Sequence, residues 1–151
     1  MDYIAIETLR ERHPAWRLLR ADNSPLVLAF LGRWFVEENR GATSAAELIA
    51  ALDDELHARN ADHAEDPPFP KRPRDYLEDW AAPERGWLRS YYPADSDEVH
   101  YEVTSAFEKA YAWVESLRTR DFVGTESRLH TIVELLRQIV HGTDIDPQSR
   151  L

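Results

Sequence analysis

The chain has 151 residues, 43% hydrophobic and 30% charged, with 28 acids against 18 bases and a formal net charge of −10. That length and composition suit one soluble domain with a proper core, and the charge argues against tight binding to a phosphate backbone, where a basic face dominates affinity. The absence of cysteine excludes disulfides and thiolate metal sites, no run approaches the ~20 apolar residues of a membrane span, and no basic-then-apolar leader opens the chain, so a cytoplasmic home is expected.

Residues 3–12 read as a short helix with Ile6 and Leu9 inward. Pro14 ends it and starts a second, Pro14 to Arg20, with Trp16 and Leu19 on one side. Ser24-Pro25 has the look of an N-cap followed by proline at the first helical position. The helix it opens, about 25–38, is the most apolar in the chain. Val27, Phe30, Leu31, Trp34 and Phe35 form one stripe at helical spacing, and Leu26 and Leu28 lie outside it. A helix apolar nearly all round is buried on more than one side, as a central core helix or as one that also seals a subunit contact. Gly41 is expected to end it, with Arg40–Thr43 as a single short strand.

Ser44-Ala45-Ala46-Glu47 matches a capping box. The helix behind it runs to about Arg59, with Ala45, Leu48, Ile49, Leu52 and Leu56 inward. Asn60 to Arg72 is a polar, acidic, proline-bearing loop of unusual length. A DNA-reading helix-turn-helix joins its helices by about three or four residues, so this insertion departs from that geometry.

The stretch Pro73–Val103 organises the rest. Pro73 to Trp80 reads as a helix stopped near Ala82-Pro83, because the residue before a proline is pushed out of the α region. Gly86–Tyr92 and Val99–Val103 are β-like runs around the turn Pro93–Glu98. A short helix followed by a hairpin is the second half of a winged-helix module, and the upstream helices supply the first half. The expected fold is mainly α (α+β): a winged helix with a two-stranded wing, in a unit 1–104, followed by a helical extension 105–151.

In that extension Thr104 caps a helix from Ser105 to about Arg118, striped by Phe107, Ala110, Tyr111, Val114 and Leu117. Asp121–Gly124 is a linker. Thr125 caps a last full helix, Glu126 to about His141, striped by Leu129, Ile132, Val133, Leu136, Ile139 and Val140. Asp146-Pro147 resembles a further helix start with no helix behind it, as in a fragment of a longer protein.

Little in the sequence promises chemistry. The six histidines, at 13, 57, 63, 100, 130 and 141, share no ligand spacing, although His57 and His63 flank the acidic loop. There is no Gly-rich phosphate loop and no serine elbow. Asp53-Asp54-Glu55 does not share a helix face. No catalytic residue, metal or cofactor is expected. Lys71, Arg72 and Arg74 form the one basic cluster, just before the would-be recognition helix, and give the best argument for DNA contact. Opposing it are the wing-tip acids Asp95, Asp97 and Glu98 and the helix acids Asp75, Glu78 and Asp79, which favour a protein-facing module.

Four segments carry a family resemblance: His13–Asn23, Asp75–Trp80, Gly86–Arg89 leading to Tyr91-Tyr92-Pro93, and Phe122–Leu129. Together they resemble the N-terminal region of the JetA family, the MukF-like kleisin subunits of bacterial Wadjet anti-plasmid systems. The resemblance implies a non-catalytic connector in an SMC-type complex that extrudes loops on plasmid DNA. It implies a homodimerising winged helix whose trailing helices contact the SMC neck. The implied partners are an SMC ATPase and a MukE-like winged-helix subunit, with DNA met mainly through the complex and no membrane. On this reading Phe30 and Trp34 belong to the dimer side and Leu129, Ile132, Val133 and Leu136 to the bundle face, although each also suits an ordinary core.

Overall fold

A computed structural model describes residues 1–120 and 131–140. The chain divides into two compact units, Met1–Trp113 and Val114–Leu151. The division falls inside a helix rather than before it, because Phe107 and Ala110 on the opening turns of that helix are buried in the first unit.

The first unit opens with α1 (Tyr3–Arg12) and α2 (Pro14–Leu19). Asp2 caps α1 by accepting the Ala5 N–H at 2.9 Å. His13 caps α2 through Nδ1, which accepts the Ala15 N–H at 3.1 Å. The inward residue of α2 is Leu18, fully buried, while Trp16 stays exposed and Leu19 half-buried. No residue of α1 is buried, so the expectation that Ile6 and Leu9 point inward fails.

Helix α3 (Ser24–Leu31) starts one residue early. Asn23 holds the cap position without a side-chain bond, and Ser24 and Pro25 are its first two residues. Leu26, Val27, Leu28, Phe30 and Leu31 are all buried, as an all-round apolar helix requires. It continues as a π-helical segment, Gly32–Glu37, in which the Glu38 N–H reaches the Arg33 carbonyl at 2.9 Å. Asn39, at φ 51°, ends it in the left-handed region, two residues before the expected stop at Gly41.

A short strand β1 (Thr43–Ser44) leads into α4 (Ala45–Asn60). After the 60–72 loop come α5 (Pro73–Ala81), β2 (Leu88–Tyr91), β3 (His100–Val103) and α6 (Ser105–Arg120). The strands form one antiparallel sheet in the order β1-β3-β2. Leu88 opposes Val103, Ser90 opposes Tyr101, and Thr43 opposes Tyr101 on the other side. Helix, strand, two helices and a hairpin, with the first strand beside the third, make a winged helix with an α+β content dominated by helix. The strand expected at Arg40–Thr43 forms at its far end, where Thr43 Oγ1 accepts the Trp34 indole N–H at 3.0 Å.

The core lies between α3, α4, α5 and the inner sheet face. Leu48, Leu52, Leu77, Trp80, Trp87, Leu88 and Phe107 are essentially solvent-free. Trp87 ties α2 to the hairpin by donating to the Pro14 carbonyl at 2.9 Å. Thr104 closes the sheet and opens α6. Its hydroxyl donates to the Gly86 carbonyl at 2.7 Å and accepts the Phe107 N–H at 3.2 Å. In the second unit, residues 131–140 are helical. Leu129 and the expected features at 121–130 and 141–151 lie outside the described residues.

Candidate functional site

In a winged helix the second helix of the motif and the wing form the face that meets a partner, so the basic cluster and the wing are the first candidates. Pro73 starts α5 with a residue that has no N–H to lose. The apolar side of α5, Tyr76, Leu77 and Trp80, packs inward. Its outward side carries Arg74 and Glu78, one turn apart and opposite in sign. Lys71, Arg72 and Arg74 are all exposed. Two of them have local company: Arg72 pairs with Asp75 at 3.4 Å, and the Lys71 ammonium sits 5.6 Å from the centre of the Tyr76 ring.

The wing carries acids beside this basic cluster. Asp95, Asp97 and Glu98 are exposed on it, and Arg89 is held by its cross-strand partner Glu102. Glu98 has a structural role that sequence reasoning missed. Its carboxylate accepts the Ala46 N–H at 3.2 Å, beside Ser44 Oγ on the Glu47 N–H at 3.3 Å. A negative charge at a helix N-terminus meets unpaired N–H groups and the positive end of the helix dipole. The only sequence signal for it is an acid in the turn preceding β3.

The same face raises the pKa of two tyrosines. Burial lifts the Tyr101 phenol above its ordinary value, Glu78 adds to the rise, Arg74 opposes it and Tyr92 adds a little. Burial also raises Tyr76, against the Lys71 N–H that its oxygen accepts.

The two residues expected on a dimer side are occupied within the chain. Phe30 is 1% exposed and stacks on Trp34 at 6.4 Å. Trp34 is half-buried, bonded to Thr43 and covered by the Arg40 guanidinium 3.9 Å from its ring centre. Phe30 therefore belongs to the core, with no surface left for a second copy. The bundle-face residues behave differently. Ile132, Val133 and Leu136 are exposed, Leu136 at 56%. Another exposed apolar group is on α1 and α2, where Ile6 (43%) and Trp16 (38%) line a groove with Tyr3, Glu7 and Arg10.

Among the described residues no three His, Asp or Glu side chains come together as metal ligands. His57 is solvated and bonds its own helix at the Asp53 carbonyl. Glu55 is set apart from Asp53 and Asp54 by two arginines, Arg33 at 3.4 Å and Arg59 at 3.3 Å. No described helix is long and apolar enough to cross a membrane.

A family model described as "Protein of unknown function (DUF3375)" matches residues 8–151. An uncharacterized protein of Mycolicibacterium smegmatis is 64% identical over 151 residues, which covers all of this chain and 32% of that protein. The chain thus spans about a third of the length of this curated relative.

Proposed function

The chain belongs to the DUF3375 family, proteins of unknown function, and from that premise we propose that it is a non-catalytic, protein-facing module of a larger assembly. Its winged helix pairs with a second copy, and its helices from 105 onward engage another subunit. This is the part played by the N-terminal region of a kleisin in a cytoplasmic SMC-type plasmid-defence complex, as the JetA-like segments imply. The SMC ATPase and a MukE-like subunit are the partners on this reading, and DNA is met through them.

One observation carries the reading: among the described residues Ile6, Trp16, Ile132, Val133 and Leu136 stand exposed on helices, while the wing carries the exposed acids Asp95, Asp97 and Glu98. No residue of α1 is buried, yet it carries Ile6 and Leu9. Its seam, not Phe30, is the surface we assign to the second copy. Light scattering on the purified chain at tens of micromolar tests this. A dimer is expected, and a persistent monomer sinks the pairing.

A second reading rests on the exposure of Lys71, Arg72 and Arg74 at the start of α5. It makes the winged helix a direct DNA contact. Binding to short duplex DNA that weakens steeply with salt, and that fails on charge reversal of these three, would favour it.

A further inference from the structure

The 60–72 loop does not trail away from the domain; it is tied down on both sides. The Asn60 side chain donates to the Phe69 carbonyl at 2.8 Å and accepts the Phe69 N–H at 3.0 Å. The Phe69 ring meets Tyr76 edge-on at 6.4 Å, and the Lys71 N–H reaches the Tyr76 hydroxyl at 3.4 Å. Between this loop and the end of α4 lies a cleft of about 470 Å³, within the size range of about 300–1,000 Å³ usual for ligand sites.

The lining is mostly apolar, with Leu56, Ala64 and Phe69 among it, and it carries two bases, Lys71 and Arg72, against one carboxylate, Asp53. Lys71 and Arg72 both line it, and Arg72 is 82% exposed, with Asp75, outside the lining, 3.4 Å from its guanidinium. The one lining carboxylate, Asp53, faces His57 at 3.5 Å. The loop's own acids, Asp62, Glu65 and Asp66, are exposed and do not line the cleft. Pro67 and Pro70 do line it, and their carbonyls accept no hydrogen bond from the described residues. Those two carbonyls are left as acceptors for the N–H groups of an extended chain.

We propose that this cleft is a docking site for a short extended peptide that places a bulky apolar side chain against Leu56, Ala64 and Phe69 and a nearby carboxylate against Lys71 and Arg72. The charge complementarity selects the carboxylate. The exposed loop acids act against polyacidic segments, so one well-placed acid is read rather than a run. Clamping of the loop by Asn60 lowers the ordering cost that a free loop would incur on binding. The site is separate from the α1 seam and does not depend on the chain being a kleisin.

The test is selection from a phage-displayed library of random dodecapeptides on the 151-residue chain. Recovered peptides should share a large apolar residue with Asp or Glu within two positions. A labelled synthetic peptide of that consensus should lose at least about tenfold in affinity with Ala64→Trp, which fills the cleft from an exposed position. It should lose a similar amount with the double change Lys71→Glu and Arg72→Glu, also on exposed side chains. Thermal unfolding of both variants shows whether the fold is intact; if Ala64→Trp unfolds, the charge reversal decides. Absence of a shared motif overturns the proposal. So does a consensus peptide whose binding survives the folded variants, because it then sits elsewhere, such as on the apolar stretch 131–140.

Discussion

Gly32 shows how one side chain fixes the packing of two helices. A Cβ there would run into Cε1 and Cδ1 of the Tyr111 ring. Ordinarily Gly→Ala inside a helix gains about 1 kcal/mol of propensity. Here the ring cannot step aside freely: it stacks on Phe107 at 6.1 Å, and its hydroxyl bonds to Glu37. Overpacking costs about 1–3 kcal/mol, so Gly32→Ala should destabilise on balance, and urea unfolding reads the midpoint shift. Adding Tyr111→Leu to Gly32→Ala should recover part of the loss. The tyrosines Tyr76 and Tyr101 give a second residue-scale expectation. Their folded pKa values lie above the ordinary 10.0, chiefly through burial. The protonated form is thus favoured by folding, its contribution is whole below the unfolded value of about 10, and it is lost as pH rises through the raised folded values. Stability should fall on that alkaline limb, and Tyr101→Phe should make the fall shallower in a series of melts from neutral to alkaline pH. Neither feature was legible in the sequence. Tyr111 could be placed on the right stripe, but which residue it would meet depends on how α6 lies across Gly32, and periodicity does not carry that.

At the scale of elements, the sequence was most informative where local chemistry and burial agree. The wing runs Gly86–Tyr92 and Val99–Val103 contain the observed β2 and β3, trimmed at their ends, because aromatic and β-branched residues bracket a turn of one proline and three acids. Ser44 caps α4 as its spacing to Glu47 indicates. Helix α1 is the instructive failure. An apolar pair one helical turn apart implies something to pack against, yet Ile6 and Leu9 both remain exposed beside α2. The π-helical turn after Leu31 also left no mark in the apolar stripe, which runs through it unbroken. The 60–72 loop reads as a polar excursion, and its restraint by Asn60 becomes visible only in three dimensions. That restraint is open to test. Asn60→Ala removes both bonds to Phe69, each worth about 1 kcal/mol net. Because the loop sits outside the core, most of the effect should be local opening. Limited proteolysis should cut near residues 61–68 much faster in the variant, with only a small drop in melting temperature. Equal cutting rates would mean that the clasp does not hold the loop.

For the molecule as a whole, the two functional readings predict opposite responses to salt. Each copy carries a formal charge of −10. Two such copies repel, and the repulsion fades as ions shorten the Debye length to about 8 Å at physiological strength. An association driven by apolar faces should therefore tighten, or at least not weaken, as salt is added. DNA binding through Lys71, Arg72 and Arg74 should weaken, since each neutralised phosphate releases counterions. The α1 seam gives the first case its particular form. A ten-residue helix is short of the ~12–15 residues at which isolated helices become even marginal in water. The Asp2 cap and the basic Arg10 and Arg12 in its last turn help it, but contact with α2 leaves Ile6 and Leu9 exposed. Glu7 and Arg10 line the groove with Ile6 and Trp16. Ile6→Asp with Leu9→Asp should then convert dimer to monomer in sedimentation velocity runs at every salt concentration. The first unit's melting temperature should stay close to the wild-type monomer's, because neither side chain enters its core. Should the double variant stay dimeric, the second copy binds elsewhere, and the exposed apolar residues within 131–140 are the next surface to change.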